Sequence, residues 1–203
     1  MSNALIKSIQ TKVGVAADGV CGPITLAAIA KALGIAPEAK GPGAAPNELI
    51  SILLSVAAGE IGVKETSHNQ GPGIAKYWTA TSYPEGYKNK EPWCSSFLCW
   101  VFMEAAKRVA VPFKLPRSAA AFAWEEWARK EGQKLIKRPD RVKRGDVVIF
   151  DFSHIGICSG DSDENGTFES IEGNTNAAGE REGGAVMRKR RKISLVRSVV
   201  RLS

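Results

Sequence analysis

Asp146-Val147-Val148-Ile149-Phe150-Asp151-Phe152-Ser153-His154-Ile155-Gly156-Ile157-Cys158-Ser159 is the stretch on which the fold turns. Upstream of it, apolar residues recur every three or four positions; from here on the period is two, that of a strand. This change predicts strands over 146–152, 154–159 and 167–171, with one or two more in 185–202. Helices first and an antiparallel sheet afterwards is an α+β order, with helices packed on the sheet.

Two of these strands carry polar side chains where a core face is expected. His154, Gly156 and Cys158 share one face, with Ile155 and Ile157 on the other. Phe168, Ser170, Glu172 and Asn174 share a face of the next segment. Gly160 to Gly166 is a polar turn, and pairing its end glycines sets His154 opposite Glu172, with Asn174 one diagonal step away. Side chains directly across a sheet lie about 5 Å apart at Cβ, close enough for a carboxylate to bond an imidazole. A register shifted by two would set Asn174 or Ser170 opposite instead.

The nucleophile lies upstream, in Pro92-Trp93-Cys94-Ser95-Ser96-Phe97-Leu98-Cys99-Trp100. A proline followed by an apolar run marks a helix start, and a thiol in the first turn faces unpaired N–H groups and the positive end of the helix dipole. Both favour thiolate over thiol. A lone cysteine of this kind is more often core. A helix-start cysteine, a strand histidine and an acid on the facing strand together point to a cysteine hydrolase, with Cys94 as nucleophile, His154 as base and Glu172 and Asn174 as orienting groups. The Cys94 N–H offers half of an oxyanion hole.

Further outward, residues 3–34 have helical spacing on Leu5, Ile6, Ile9 and Val13, a turn at Asp18-Gly19, and a second helix from Pro23 to Leu33. An Ala/Gly/Pro-rich stretch then reads as a linker. Three segments follow: residues 1–36 as a helical unit, 37–46 as linker and 47–203 as the catalytic domain. Within the last, helices are expected from Asn47 to Gly59, from Cys94 to about Ala110 and from Ser118 to Gly132, with 62–91 as loop.

The 203 residues are 44% hydrophobic, enough for a core. No apolar run reaches the roughly 18 residues that span a bilayer. The first ten residues lack a signal-peptide pattern, so synthesis in the cytoplasm is expected. The four cysteines show no CxxC pair and no metal-ligand spacing with the two histidines; no metal or other cofactor is expected, and Cys21, Cys99 and Cys158 read as buried apolar residues. The net charge of +7 suggests an anionic partner. Much of it lies in Arg188-Lys189-Arg190-Arg191-Lys192, which reads equally as a patch for anionic lipid or lipopolysaccharide and as an edge strand guarded by charge. No recognition helix or exposed aromatic set accompanies it, so nucleic acid is not expected.

The catalytic residues resemble the CHAP family, the cysteine- and histidine-dependent amidohydrolases and peptidases of the papain-like clan. The resemblance spans roughly residues 48–202 and rests on Trp93 to Phe97, on Arg144-Gly145-Asp146-Val147-Val148 leading to His154-Ile155-Gly156-Ile157, and on Ile171-Glu172-Gly173-Asn174-Thr175-Asn176. It implies a papain-like domain that attacks amide bonds of bacterial peptidoglycan, at the muramoyl–L-alanine link or within the stem peptide, with Cys94, His154, Glu172 and Asn174 as the working residues. Some members hold calcium with closely spaced acids early in the domain. Gly62-Val63-Lys64-Glu65-Thr66-Ser67-His68 carries no such cluster, and no calcium site is expected.

Asp18-Gly19-Val20-Cys21-Gly22-Pro23-Ile24-Thr25 resembles the Asp-Gly-x-x-Gly-x-x-Thr signature of three-helix peptidoglycan-binding domains, of which about half is present. Asp18, Gly19, Gly22 and Thr25 would serve wall binding or turn and cap geometry. A wall binder, a linker and a wall-cutting domain without a signal peptide resemble a phage endolysin, acting as a monomer and waiting in the host cytoplasm until a holin admits it to the wall. Two other functions fit the same residues: a non-catalytic wall-binding protein, and an interbacterial amidase toxin. Trp124 and Trp127 read as core, whereas Tyr77, Trp78, Tyr83 and Tyr87 are candidates to line a groove.

Overall fold

The structure, a computed structural model, describes residues 3–17, 19, 25, 28, 29, 32, 33, 46–178 and 183–202. It divides into two units, Met1–Gly43 and Ala44–Ser203.

In the first unit, helix α1 spans Asn3–Lys12, and residues 25, 28, 29 and 32 are helical. Gln10, 1% exposed, joins the two segments: its Oε1 accepts from Gly19 N at 2.8 Å and its Nε2 donates to Thr25 Oγ1 at 2.9 Å. Gly19 has φ +80°, a conformation glycine adopts at no steric cost. Thr25 and Gly19, two of the four signature residues, thus hold the unit together from inside. Asp18 and Gly22 lie outside the described residues, as do Cys21, Pro23 and residues 37–45 of the expected linker.

The second unit opens with α2 (Pro46–Gly59), one residue before the expected start at Asn47. The stretch 62–91 holds two short elements that its Gly and Pro content conceals: α3 (Pro72–Trp78) and a 3₁₀ turn at Pro84–Gly86. Pro72 stands in the first turn, where a missing N–H costs nothing. Helix α4 spans Cys94–Ala106, and α5 spans Ala123–Lys130. The expected start at Ser118 is instead a run of turns, in which Ser118 Oγ accepts from Ala120 N at 3.2 Å.

Six strands follow: β1 (Lys134–Lys137), β2 (Val147–Phe150), β3 (His154–Gly160), β4 (Thr167–Thr175), β5 (Ala185–Lys192) and β6 (Val196–Arg201). They form one sheet in the order β1-β6-β2-β3-β4-β5, antiparallel throughout. Strand β1, with three lysine or leucine positions and no alternation, gave no strand signal in sequence. Ile155 and Ile157 join the helices in the main core, while Val148, Phe150, Cys158, Phe168 and Val199 form a second cluster on the opposite face. Among the described residues, no helix is long and apolar enough to cross a membrane.

The β3–β4 register differs from the expected one. Ile157 pairs with Ile171 and Cys158 with Ser170, but Gly160 pairs with Glu169. Two steps on β3 therefore match one on β4, and the extra residue is a β-bulge at Ser159. Below the bulge the ladder is displaced by two, which sets Gly156, not His154, beside Glu172.

Candidate active site

Cys94 opens α4 because Trp93 before it is fixed on every side. Trp93 is fully buried, stacks on Tyr77 with centroids 5.4 Å apart, and donates from Nε1 to Glu65 Oε1 at 2.6 Å. It leaves the helix at φ −110°, ψ 14°, while its carbonyl accepts from Phe97 N at 2.9 Å. Strand β4 reaches this corner through Gly173, where an added Cβ would stand 2.7 Å from Phe97 Cβ and 2.8 Å from the Trp93 ring. The glycine is what lets strand and helix meet so closely.

The thiol lines a cleft of about 340 Å³ together with Trp78, Tyr83, Glu91, Ala120 and Ser153. Of the four aromatic residues expected in a groove, Trp78 and Tyr83 line it; Tyr77 is core, and the Tyr87 hydroxyl is turned to the Gly71 backbone. Trp124 is fully buried, with Nε1 donating to Ser95 Oγ at 2.8 Å.

His154, fully buried, lies against the Phe152 ring at 5.7 Å and the Phe150 ring at 6.0 Å, both near parallel. Its Nε2 is bonded to Glu172 Oε2 at 3.0 Å. Its Nδ1 is buried with no hydrogen-bond partner among the described residues. Burial disfavours the charged ring, but the Cys94 sulfur and then the Glu172 carboxylate outweigh it and lift the imidazole to about 9. Both neighbours favour the charged ring.

Glu172, also fully buried, takes four hydrogen bonds. Besides His154 these come from Ser170 Oγ to Oε1 at 2.5 Å, Arg191 Nε to Oε1 at 2.9 Å and Arg191 Nη2 to Oε2 at 2.5 Å. Burial would raise its pKa, yet Arg191 first and His154 second hold it down to about 2. A buried carboxylate is tolerable only with such compensation. Glu172 reaches His154 by crossing Gly156, where a Cβ would lie 2.6 Å from Glu172 Cγ.

Asn174, two residues beyond Glu172 on β4, makes no hydrogen bond to this line. It is fully buried at φ +54°, and neither amide atom has a hydrogen-bond partner among the described residues. It borders a polar cavity of about 230 Å³ with Glu65, His68 and Asn69. Burial pushes the other two described thiols, Cys99 and Cys158, up to about 12. Among the described residues, no group of three or more His, Cys, Asp or Glu is placed to hold a metal ion.

Arg191 escaped the sequence reading, which counted it within an exposed basic run. The strand alternates: Arg188, Arg190 and Lys192 face solvent, whereas Arg191 is 7% exposed and lies over the Phe150 ring at 5.1 Å and the Phe152 ring at 5.4 Å. Period-two parity within 185–192 was the signal that would have found it. As the last strand in the sheet order, β5 is an edge, and three of the five basic side chains are left on its outer face.

The family model of the CHAP domain matches residues 82–174, a stretch that contains Cys94, His154 and Glu172 and stops short of Arg191. No curated protein sequence matches the chain. Among solved structures, the crystal structure of a wild-type endolysin, LysIME-EF1, is similar at 20% identity and a TM-score of 0.45, over 75% of this chain and 63% of that one. The chain thus spans less than two thirds of that protein's length.

Proposed function

We propose that this chain, whose residues 82–174 match the CHAP-domain model, hydrolyses amide bonds of bacterial peptidoglycan with Cys94 as nucleophile. The observation that carries the reading is the line Cys94–His154–Glu172 at the wall of a cleft, with the imidazole held charged beside the sulfur.

The geometry supports a two-stage acyl transfer. The Cys94 thiolate attacks the amide carbon, and the developing oxyanion lies at the start of α4, where first-turn N–H groups are unpaired. His154 gives its Nδ1 proton to the leaving nitrogen, the C–N bond breaks, and a thioester remains. Water then attacks the thioester as neutral Nδ1 takes its proton; the thiolate leaves and the charged pair is restored. Glu172 keeps Nε2–H pointed away throughout. A cleft with aromatic walls and one carboxylate suits a substrate that carries both sugar and peptide.

The setting proposed is that of a phage endolysin: made in the host cytoplasm, released to the wall, and aided there by a wall-binding unit at Met1–Gly43. In that unit Gly19 and Thr25 act from within, through Gln10, and any wall contact falls to other residues. Mass spectrometry of digested sacculi tests the reading and names the bond. New amino groups on L-alanine mean an amidase, new ends within stem or cross-bridge mean an endopeptidase, and intact sacculi would overturn the proposal.

A further inference from the structure

The chain of hydrogen bonds behind Cys94 does not end at the acid. Arg191 comes from the edge strand β5, whose backbone already pairs with β4, so its side chain is not needed to hold the strand. Its neighbours Arg190 and Lys192 point to solvent, whereas its guanidinium is turned inward onto both Glu172 oxygens. The same Phe150 and Phe152 rings that support the His154 imidazole lie against it. One aromatic pair thus sets the planes of both groups that Glu172 joins.

We propose that Arg191 is a positioning residue for the reaction, its planar fork fixing Glu172 as a permanently ionised, acceptor-only partner of His154 Nε2, so that Nδ1 is always the nitrogen presented to Cys94. This rests on the hydrolase reading above. The physical reason is one of tautomers. A carboxylate can only accept, so Nε2 must carry a proton. A protonated Glu172 would donate to Nε2 instead, move the ring proton to Nδ1 and leave a neutral ring beside Cys94. The groups facing Glu172 are His154 from β3, Ser170 from its own strand and Arg191 from β5; Cys94 of α4 faces the ring's other nitrogen. Of these, only Arg191 carries a charge that does not titrate near neutrality. A lysine would supply the charge without the fork.

The test reads Cys94 without any wall substrate, as the pH dependence of its alkylation by iodoacetamide, followed by mass on the Cys94 peptide, with hydrolysis of sacculi in parallel. In Arg191→Lys, folded by circular dichroism, the alkylation rate at pH 6 should fall at least tenfold, and kcat should fall with KM unchanged. In Arg191→Met, the acidic limb of alkylation should move up by at least one pH unit. If the Met variant does not fold, the Lys variant decides. Alkylation profiles superimposable on wild type would overturn the proposal. Failure of the hydrolase reading looks different: wild-type enzyme would leave sacculi intact while the alkylation profiles still separated.

Discussion

Glu172 reaches His154 across Gly156, its Cγ lying where a Gly156 Cβ would come within 2.6 Å. Glu172 and His154 are not cross-strand partners; they meet on a diagonal that exists because the residue between them has no side chain. Gly156→Ala should therefore push the carboxylate off the ring while leaving the ladder intact. We expect a fall in kcat of about tenfold to a hundredfold, since small misplacements of catalytic groups cost that much, with far-ultraviolet circular dichroism unchanged. Steady-state kinetics of the purified variant on sacculi checks it.

Activity should decline as pH rises through about 9, where His154 loses its proton. Its pKa is raised, so the charged ring persists from acid pH up to that value and is lost above it. A pH–rate profile of kcat measures the limb, and a limb near 6.5 would show that Cys94 and Glu172 do not hold the ring charged.

The same pair makes a pH-dependent contribution to stability. For His154, raised from 6.5 to about 9, the contribution is complete below 6.5 and lost as pH climbs to 9. For Glu172, lowered from 4.5 to about 2, it is complete above 4.5 and lost as pH falls toward 2. Glu172→Gln should thus destabilise most between pH 4.5 and 6.5, by about 3 kcal/mol as is usual for one partner of a buried pair. Denaturant melts of both proteins across pH give the difference.

Gly173→Ala should destabilise the second unit by about 1–3 kcal/mol, the usual range for overpacking, because its Cβ would meet Phe97 and Trp93 at 2.7–2.8 Å. Thermal melts followed at 222 nm measure it. In the first unit, Gln10→Ala removes two buried hydrogen bonds, from Gly19 N and to Thr25 Oγ1, and should cost about 1–3 kcal/mol locally. Hydrogen exchange in the full chain should quicken over residues 3–33 and stay unchanged beyond residue 46.

The placement of Cys94 at a helix start and of His154 at the head of a strand was legible because the signals are local: a proline and tryptophan before an apolar run, and a change to period two. The α+β order was legible from the change of period. Glu172 does bond His154, but on a different register, because the hairpin pairs Gly160 with Glu169 rather than Gly166 and the bulge at Ser159 returns only one of those three steps; neither leaves a mark in composition. Arg191 was hidden for a different reason. Five consecutive basic residues read as one solvated patch unless strand parity is applied inside the run. The helix at Pro72–Trp78 was masked by its own Pro72-Gly73 start, a turn signal that also suits a helix N-terminus.

The central claim is that Cys94 attacks the wall amide, and clearing of outer-membrane-stripped cells by Cys94→Ala tests it most directly. The variant should give no clearing above the no-enzyme control, with the fold intact by circular dichroism. Clearing at the wild-type rate would contradict it.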